Sequence, residues 1–417
     1  MSEYNWAANY RYSAQRLHRP ESLEQLQELV RHSRKLKALG SRHSFNHIGD
    51  TTADHISLEQ MAQIVALDPQ RRTVTIEGGM RYGPLGQYLQ REGYALHNLA
   101  SLPHISVAGA CATATHGSGD RNGNLATVVS ALQVVTANGE LHAFSRETDP
   151  EMFPGMVVSL GGLGIITQLT LEIEPSFEVQ QEIFEQLPMT ALDAHFDEIT
   201  SSAYSVSMFT DWRSASINQL WLKRRVPAEG LPKLGSELFG ATAAARQLHP
   251  ISALPSEPVT TQLSLPGPWC DRLPHFRMEH TPSSGEELQS EYFVPRRHAV
   301  AALHAIAELR RHISPLLQIS EIRSIAADTL WMSPCYQQDS IGFHFTWKKD
   351  WPGVRQVLPL IEAALEQYDV RPHWGKLFTM APERLQSLYV RLPDFRNLLS
   401  YYDPEGKFRN EFLEQYI

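Results

Sequence analysis

Two short stretches in the last third of the chain alternate polar and apolar residues. In Ser320-Glu321-Ile322-Arg323-Ser324-Ile325, Glu321 and Arg323 are two residues apart, which puts both on one face of a strand. In Phe343-His344-Phe345-Thr346-Trp347, His344 and Thr346 share one face while Phe343, Phe345 and Trp347 take the other. If the two strands are neighbours, a carboxylate, a guanidinium, an imidazole and a hydroxyl converge on one patch. Such a patch can donate and accept hydrogen bonds and move a proton. The plainer alternative is the solvent face of an amphipathic sheet, with a Glu–Arg pair of little energetic weight. Lys376, in His373-Trp374-Gly375-Lys376, adds either another site cation or an ordinary surface lysine.

A second kind of signal lies nearer the start. Leu39-Gly40-Ser41-Arg42-His43-Ser44-Phe45-Asn46 reads as a strand-to-loop anion cradle with a histidine at its apex. Gly40 permits backbone angles closed to other residues, and Ser41, Ser44 and Asn46 can bond neighbouring amides. From Ser106 to Gly119 only Val107 and His116 are bulky. Small residues let a backbone lie close to a flat ligand, and Ser and Thr add hydrogen bonds with little volume. A tightly packed core turn is the competing reading of that run.

These groups need elements to hold them. Leu23, Leu26, Leu29 and Val30 give helical spacing over Ser22 to Ser33, with Pro20 just before it. Thr73 to Glu77 alternates as a strand, Tyr82 to Tyr94 reads as a helix, and Val128 to Thr136 is a strand followed by an Asn138-Gly139 two-residue turn. The glycines of Ser159-Leu160-Gly161-Gly162-Leu163-Gly164 lead into a strand from Ile165 to Ile173. No full GxGxxG with βαβ spacing surrounds them, which argues against a Rossmann dinucleotide site. After Pro175 short strands alternate with loops, then a helix is expected from Val294 to Ile313 and another from Val354 to Tyr368. A chain of 417 residues exceeds one ordinary core, so two domains are expected. A net charge of −9 argues against nucleic acid or an anionic membrane as partner. No apolar tract is long enough to span a bilayer, and three scattered cysteines suggest a reduced, cytoplasmic chain. No metal-ligand spacing of the HExxH or CxxC kind occurs.

Taken in order, the cradle loop, Ser101-Leu102-Pro103-His104-Ile105-Ser106-Val107-Ala108-Gly109, Ala114-Thr115-His116-Gly117-Ser118-Gly119, Leu288-Gln289-Ser290-Glu291-Tyr292, Glu321-Ile322-Arg323, His373-Trp374-Gly375-Lys376 and Asp403-Pro404-Glu405-Gly406-Lys407-Phe408 resemble the vanillyl-alcohol oxidase-type flavoproteins, and within them the alditol (xylitol/sorbitol) oxidases. The resemblance covers nearly the whole chain. It implies an α+β, two-domain FAD-binding fold of the PCMH/VAO type, with a substrate domain on an antiparallel sheet covered by helices. The FAD domain would span residues 1–176, the substrate domain 177–373, and residues 374–417 would return to the FAD domain. His43 would carry FAD covalently. Gly40, Ser41, Arg42, Ser44 and Phe45 would hold the pyrophosphate through backbone N–H groups, and Ser101, Ser106, Gly109, Thr113, Gly117, Ser118 and Ile166 would line the cofactor. Ala114 stands where the family commonly has glycine, and Arg42 where a small residue is usual.

The resemblance further implies oxidation of a terminal CH₂OH of an alditol by hydride transfer to the flavin, with O₂ reduced to H₂O₂. Ser101, Glu321, Arg323, His344, Thr346 and Lys376 would bind the polyol, with Arg323 and Lys376 facing the developing alkoxide. His344 or Lys376 would be the base, and Glu321 would hold Arg323 or bind a hydroxyl. Ala100 would leave oxygen a passage. An aldonolactone oxidase or dehydrogenase of the same fold is the alternative, and a monomer is expected.

Overall fold

The structure is a computed structural model that describes residues 4–280 and 286–417. Residues 1–3 and 281–285, which fall inside the expected domains 1–176 and 177–373, lie outside that description. Among the described residues the N-terminal part holds three small sheets, one of them only the antiparallel pair Tyr94–Ala95 and Glu174–Pro175. Strands Arg16–His18 and Leu36–Ala38 flank Asp54–Ile56 in parallel. A second sheet is antiparallel, in the order Ile64–Asp68, Thr73–Glu77, Ile165–Glu172, Val129–Val135, Leu141–Ser145. Helix Leu23–His32 starts at Ser22, whose side chain accepts from Gln25 N–H, and buries Leu26 and Val30. The turn after Val135 is one residue longer than Asn138-Gly139 alone would make it. Thr136 N–H donates to Glu140 O, Gly139 N–H donates to Thr136 O, and Gly139 takes φ +80°. This is a three-residue hairpin loop with glycine in the left-handed position.

The middle of the chain forms one broad antiparallel sheet. Its main path runs Glu237–Leu238, Ala241–Ala243, Glu178–Pro188, Ser216–Val226, Ser205–Thr210, Leu317–Ile325, Ser340–Trp347, Leu288–Pro295, Arg371–Pro372. Helices Ala299–Glu308 and Trp351–Leu365 cover the face carrying Tyr292, Ile322, Phe343 and Phe345, all buried in one core with Leu303, Ile306, Val354 and Leu358. Tyr292 Oη ties that face to the long helix through Glu362, at 2.8 Å. The expected helix from Val294 is corrected here. Val294 and Pro295 end the strand Leu288–Pro295, and the helix begins at Ala299. Pro295 tolerates a strand end but cannot continue the ladder, and the polar turn Arg296–His298 separates the strand from the helix.

The C-terminal residues pack back on the first sheets. Leu36 N–H donates to Lys407 O, Phe408 joins the core of Leu26, Val30 and Ile56, and the Asn410 side chain donates to the carbonyls of His47, Ile48 and Asp50. No described helix is long and apolar enough to cross a membrane.

Candidate active site

The two polar strands are neighbours, and the register across them is specific. Glu291, His344, Glu321 and Phe209 lie in one row over four adjacent strands. In the next row Gln289, Thr346 and Ile319 are level, and on the other side Phe293, Gly342 and Arg323. Because the side-chain period is two, all three rows face the same way. The residues at Gln289, Glu291, Glu321, Arg323, His344 and Thr346 therefore form the floor of a cavity of about 300 Å³, and Lys376 and His373 reach it from the following loop.

At the centre is Glu291, whose side chain is fully shielded from solvent. Its Oε1 accepts from Arg323 at 2.7 Å and lies 3.1 Å from His116 Nε2; its Oε2 accepts from Lys376 Nζ at 2.5 Å. Gly342 makes room for this, since a Cβ there would stand 3.3 Å from Glu291 Oε1. Burial alone would raise the Glu291 carboxyl, but Lys376, Arg323 and His116 outweigh it and hold the group well below the usual range. Lys376 is shifted the other way, lowered by burial with Glu291 opposing. Arg323 loses to burial but is raised by Glu321 and Glu291. Two carboxylates and two cations thus balance inside a buried patch.

Glu321 sits beside this cluster, not inside it. Its Oε1 accepts from His275 Nε2 at 2.8 Å, while its Oε2 lies 3.6 Å from Arg323 Nε, beyond bonding. Arg323 is thus held by Glu291, and its Nε is buried without a partner. Of the two roles expected for Glu321, holding Arg323 or binding a hydroxyl, the first is present as an ion pair at 3.6 Å without a hydrogen bond. Burial would raise Glu321, but Arg323 and His275 keep it well below its ordinary range. His344 Nε2 meets Gln289 Oε1 at 3.1 Å, and the Gln289 amide donates to Glu287 at 2.5 Å. That orientation makes Nε2 the protonated nitrogen of His344 and leaves a lone pair on Nδ1. Burial, reinforced by Lys376, keeps this ring neutral far below the usual histidine range.

The cavity runs from this floor to the cradle loop. Gly40, Ser41, Arg42, His43, Ser44, Phe45, Ala100, Ser101, Ser106, Gly109, Thr113 and Ile166 all line it. The loop and the small-residue helix Val107–Ala112 abut through Ser106. A Cβ on Gly40 would stand 2.5 Å from Ser106 Oγ and one on Gly109 2.7 Å from the same atom, so a side chain at either position would turn the Ser106 hydroxyl away from Ser41. Ser106 N–H donates to Ser41 Oγ at 3.1 Å, and Ser41 N–H faces Ser106 Oγ at 3.4 Å. Phe45 N–H donates to Gly375 O at 2.7 Å, so that amide is committed to the fold and does not serve a phosphate.

Gly117 and Ser118 stand apart from the lining. A Cβ on Gly117 would collide with Leu99 O and the Asn98 side chain, and Ser118 Oγ donates to Val206 O. They fasten the loop to the sheet beneath. Ala114 is buried in the core at φ +53°, so the family's glycine there answers a left-handed backbone and not a close approach to a ligand. Arg42 has φ +64°, which explains a small residue at that place too.

His43 lines the cavity with its ring stacked 5.2 Å from Trp6. The ring approaches the Ser41 backbone, but neither nitrogen completes a hydrogen bond, and burial holds it neutral at about 4. Glu291, His116, His275, His373 and Gln289 also belong to the site. Glu291 and Gln289 stood in a stretch singled out only through the family resemblance; His275 lies in a loop with no periodic signal.

Sequence and structure comparisons agree with this geometry. The FAD binding domain family matches residues 14–145, and the D-arabinono-1,4-lactone oxidase family matches residues 284–416. Alditol oxidase of Streptomyces sp. is 45% identical over 416 residues, covering 99% of this chain and 98% of that protein. L-gulonolactone oxidase of Bos taurus is 25% identical over 437 residues, covering 99% and 97%. The crystal structure of cholesterol oxidase from B. sterolicum superposes with a TM-score of 0.79 at 16% identity, covering 99% of this chain and 96% of that one, which shows the fold. A match to the FAD binding domain family over the cradle, a polar floor on an antiparallel sheet and full-length identity of this degree together place the chain in the alditol oxidase family of the vanillyl-alcohol oxidase-type flavoproteins.

Proposed function

We propose that the chain oxidises the terminal CH₂OH of an acyclic alditol, such as xylitol or sorbitol, to the aldose, with O₂ reduced to H₂O₂. The observation that carries this reading is the sheet floor, where buried Arg323 Nε has no hydrogen-bond partner and stands 3.6 Å from Glu321 Oε2, which leaves both atoms able to hydrogen-bond a substrate hydroxyl. A neutral, uncharged chain of hydroxyls needs alternating donors and acceptors, and Ser101, Glu321, Arg323, His344, Thr346 and Lys376 supply both. When bound, FAD supplies the two-electron acceptor and passes the electrons to oxygen.

The protein's part is binding, polarisation and one proton transfer. Lys376, fixed by Glu291, and Arg323 Nε present positive charge to the reacting hydroxyl oxygen as it loses its proton. Such donors are worth roughly 3–4 kcal/mol each where they meet developing charge. His344 takes the hydroxyl proton on Nδ1, because its tautomer leaves that lone pair and its ring is neutral. Glu321 Oε2 accepts from a second substrate hydroxyl.

His43 is proposed to bond FAD covalently. Its ring nitrogens without a hydrogen bond and its neutral state suit a nucleophile. Acid precipitation tests the attachment. Flavin is expected to stay with the denatured wild type and to be lost from His43→Ala; flavin released from the wild type overturns it. A peroxide assay over xylitol, sorbitol and L-gulono-1,4-lactone tests the substrate. Faster turnover of the lactone would replace the alditol reading by an aldonolactone oxidase.

A further inference from the structure

Lys223 is a lysine sealed inside the sheet, 1% exposed, and the mechanism above does not use it. Its Nζ donates to Leu273 O at 2.5 Å and Pro274 O at 2.9 Å, and lies 3.2 Å from His275 Nδ1. An ammonium has three protons and no lone pair. Two go to carbonyls, so the third goes to His275 Nδ1, which is therefore the accepting nitrogen. His275 then carries its proton on Nε2, the atom that donates to Glu321 Oε1 at 2.8 Å. We propose that Lys223 is a positioning residue for alditol binding: by fixing the tautomer of His275 it anchors one oxygen of Glu321 and leaves the other for a substrate hydroxyl. This rests on the alditol reading of the site.

The ring cannot answer by turning. Trp221 and Phe209 meet His275 edge-on, at centroid distances of 5.2 and 5.5 Å, and Ser101 O accepts from both His275 N–H and Phe276 N–H. A change at Lys223 must therefore travel through the hydrogen bonds of the fixed ring. If Nζ loses its proton to solvent, two N–H remain for three acceptors; the two carbonyls keep them, and Nδ1 loses its charged donor. The proton on Nε2 stays toward the Glu321 carboxylate, but without the cation behind the ring it is a weaker donor. One proton leaves Lys223, and none is gained by His275 or Glu321. The anchor on Glu321 loosens, and the substrate's acceptor is less firmly held. The charged and titratable groups facing Lys223 are His275, Glu321 and Arg272. Burial brings the lysine down to about 7, against the pull of Glu321, so the change falls within ordinary pH.

The test is steady-state KM and kcat for xylitol against pH with the FAD-loaded enzyme. In the wild type, KM is expected to rise roughly tenfold between about pH 6 and 8.5 with a smaller change in kcat, the loss of one charge-assisted hydrogen bond. A flat profile overturns the proposal. K223R keeps the cation at every pH, so its KM is expected to stay low to about pH 9; a rise like the wild type's overturns the proposal. K223M has neither donor nor lone pair, and its KM is expected to be raised and independent of pH; a surviving wild-type rise overturns the proposal. Should K223M not fold, the wild-type and K223R profiles decide. A wild type that oxidises the lactone but no alditol overturns the substrate reading alone, and the same profiles are then read with that lactone.

Discussion

Glu291→Gln keeps the shape of a side chain and removes the charge on which Arg323 and Lys376 converge at 2.7 and 2.5 Å. Breaking a buried pair from one side leaves the other charge uncompensated, at a cost of about 3–5 kcal/mol. A chain of 417 residues has an unfolding entropy near 0.9 kcal/mol per degree, so the thermal midpoint should fall by about 3–6 °C. The kinetic effect has a sign of its own. Burial already lowers Lys376, and Glu291 is the first group opposing it. Without that carboxylate the lysine is lowered further and is no longer oriented, so one cationic donor is weakened. The rate of anaerobic flavin reduction by xylitol should drop about 10²–10³-fold. It should partly recover on acidification, as Lys376 regains its proton. Rapid mixing of oxygen-free enzyme with xylitol at several pH values measures this. A variant that reduces its flavin at the wild-type rate, or loses rate without acid recovery, would refute the assignment of Glu291 as the charge that keeps Lys376 cationic.

Ala114→Gly should change stability by less than about 1 kcal/mol, because relief of the left-handed strain offsets the lost methyl and added chain entropy; Ala110→Gly, inside the helix, should cost about 1.5–2 kcal/mol, and equal losses in denaturant titrations would contradict the strain account. Acid should weaken the fold in two windows. His43 and His275 are held at about 4 by burial, below their unfolded value near 6.5, so their contribution is whole above 6.5 and fades as pH falls toward 4. Glu291 and Glu321 are also lowered, so theirs is whole above about 4.3 and fades only in stronger acid. A thermal midpoint that stays level from pH 7 to 5 would exclude the histidine part. Ala100 lines the cavity beside Ser101, and Ala100→Val should slow reoxidation by oxygen while leaving anaerobic reduction intact; equal loss of both would remove Ala100 from the oxygen path.

The strands bearing Glu321, Arg323, His344 and Thr346 were legible because a half-polar strand repeats every two residues, and the register pairs them as neighbours. Helix Leu23–His32 was legible from its apolar stripe and its Ser22 cap. The strand Leu288–Pro295 was not separated from the helix after it: Val294 was joined to the alanines of the helix although Pro295, Arg296, Arg297 and His298 lie between them. Glu291 escaped assignment for a related reason. Burying a carboxylate is explained only by the cations around it, and those arrive from positions 32 and 85 residues away. His275 and Lys223 meet Glu321 through a loop and a distant strand, contacts that no local periodicity announces. The cradle was visible as a pattern, but the division of labour within it, with Phe45 N–H bound to Gly375 and Ser118 to Val206, is set by tertiary contacts.

Asn46 ends the cradle loop, and its side-chain amide donates to Trp374 O at 2.8 Å and Lys376 O at 2.7 Å. Those partners lie 328 and 330 residues further along the chain, and Asn410 grips the carbonyls of His47, Ile48 and Asp50 from later still. During synthesis the loop emerges early and waits. Contacts so remote in sequence form late in folding. The histidine thus acquires its final surroundings only once the segment carrying Lys376 has docked, so the loop and the polar floor are completed by the same late contacts.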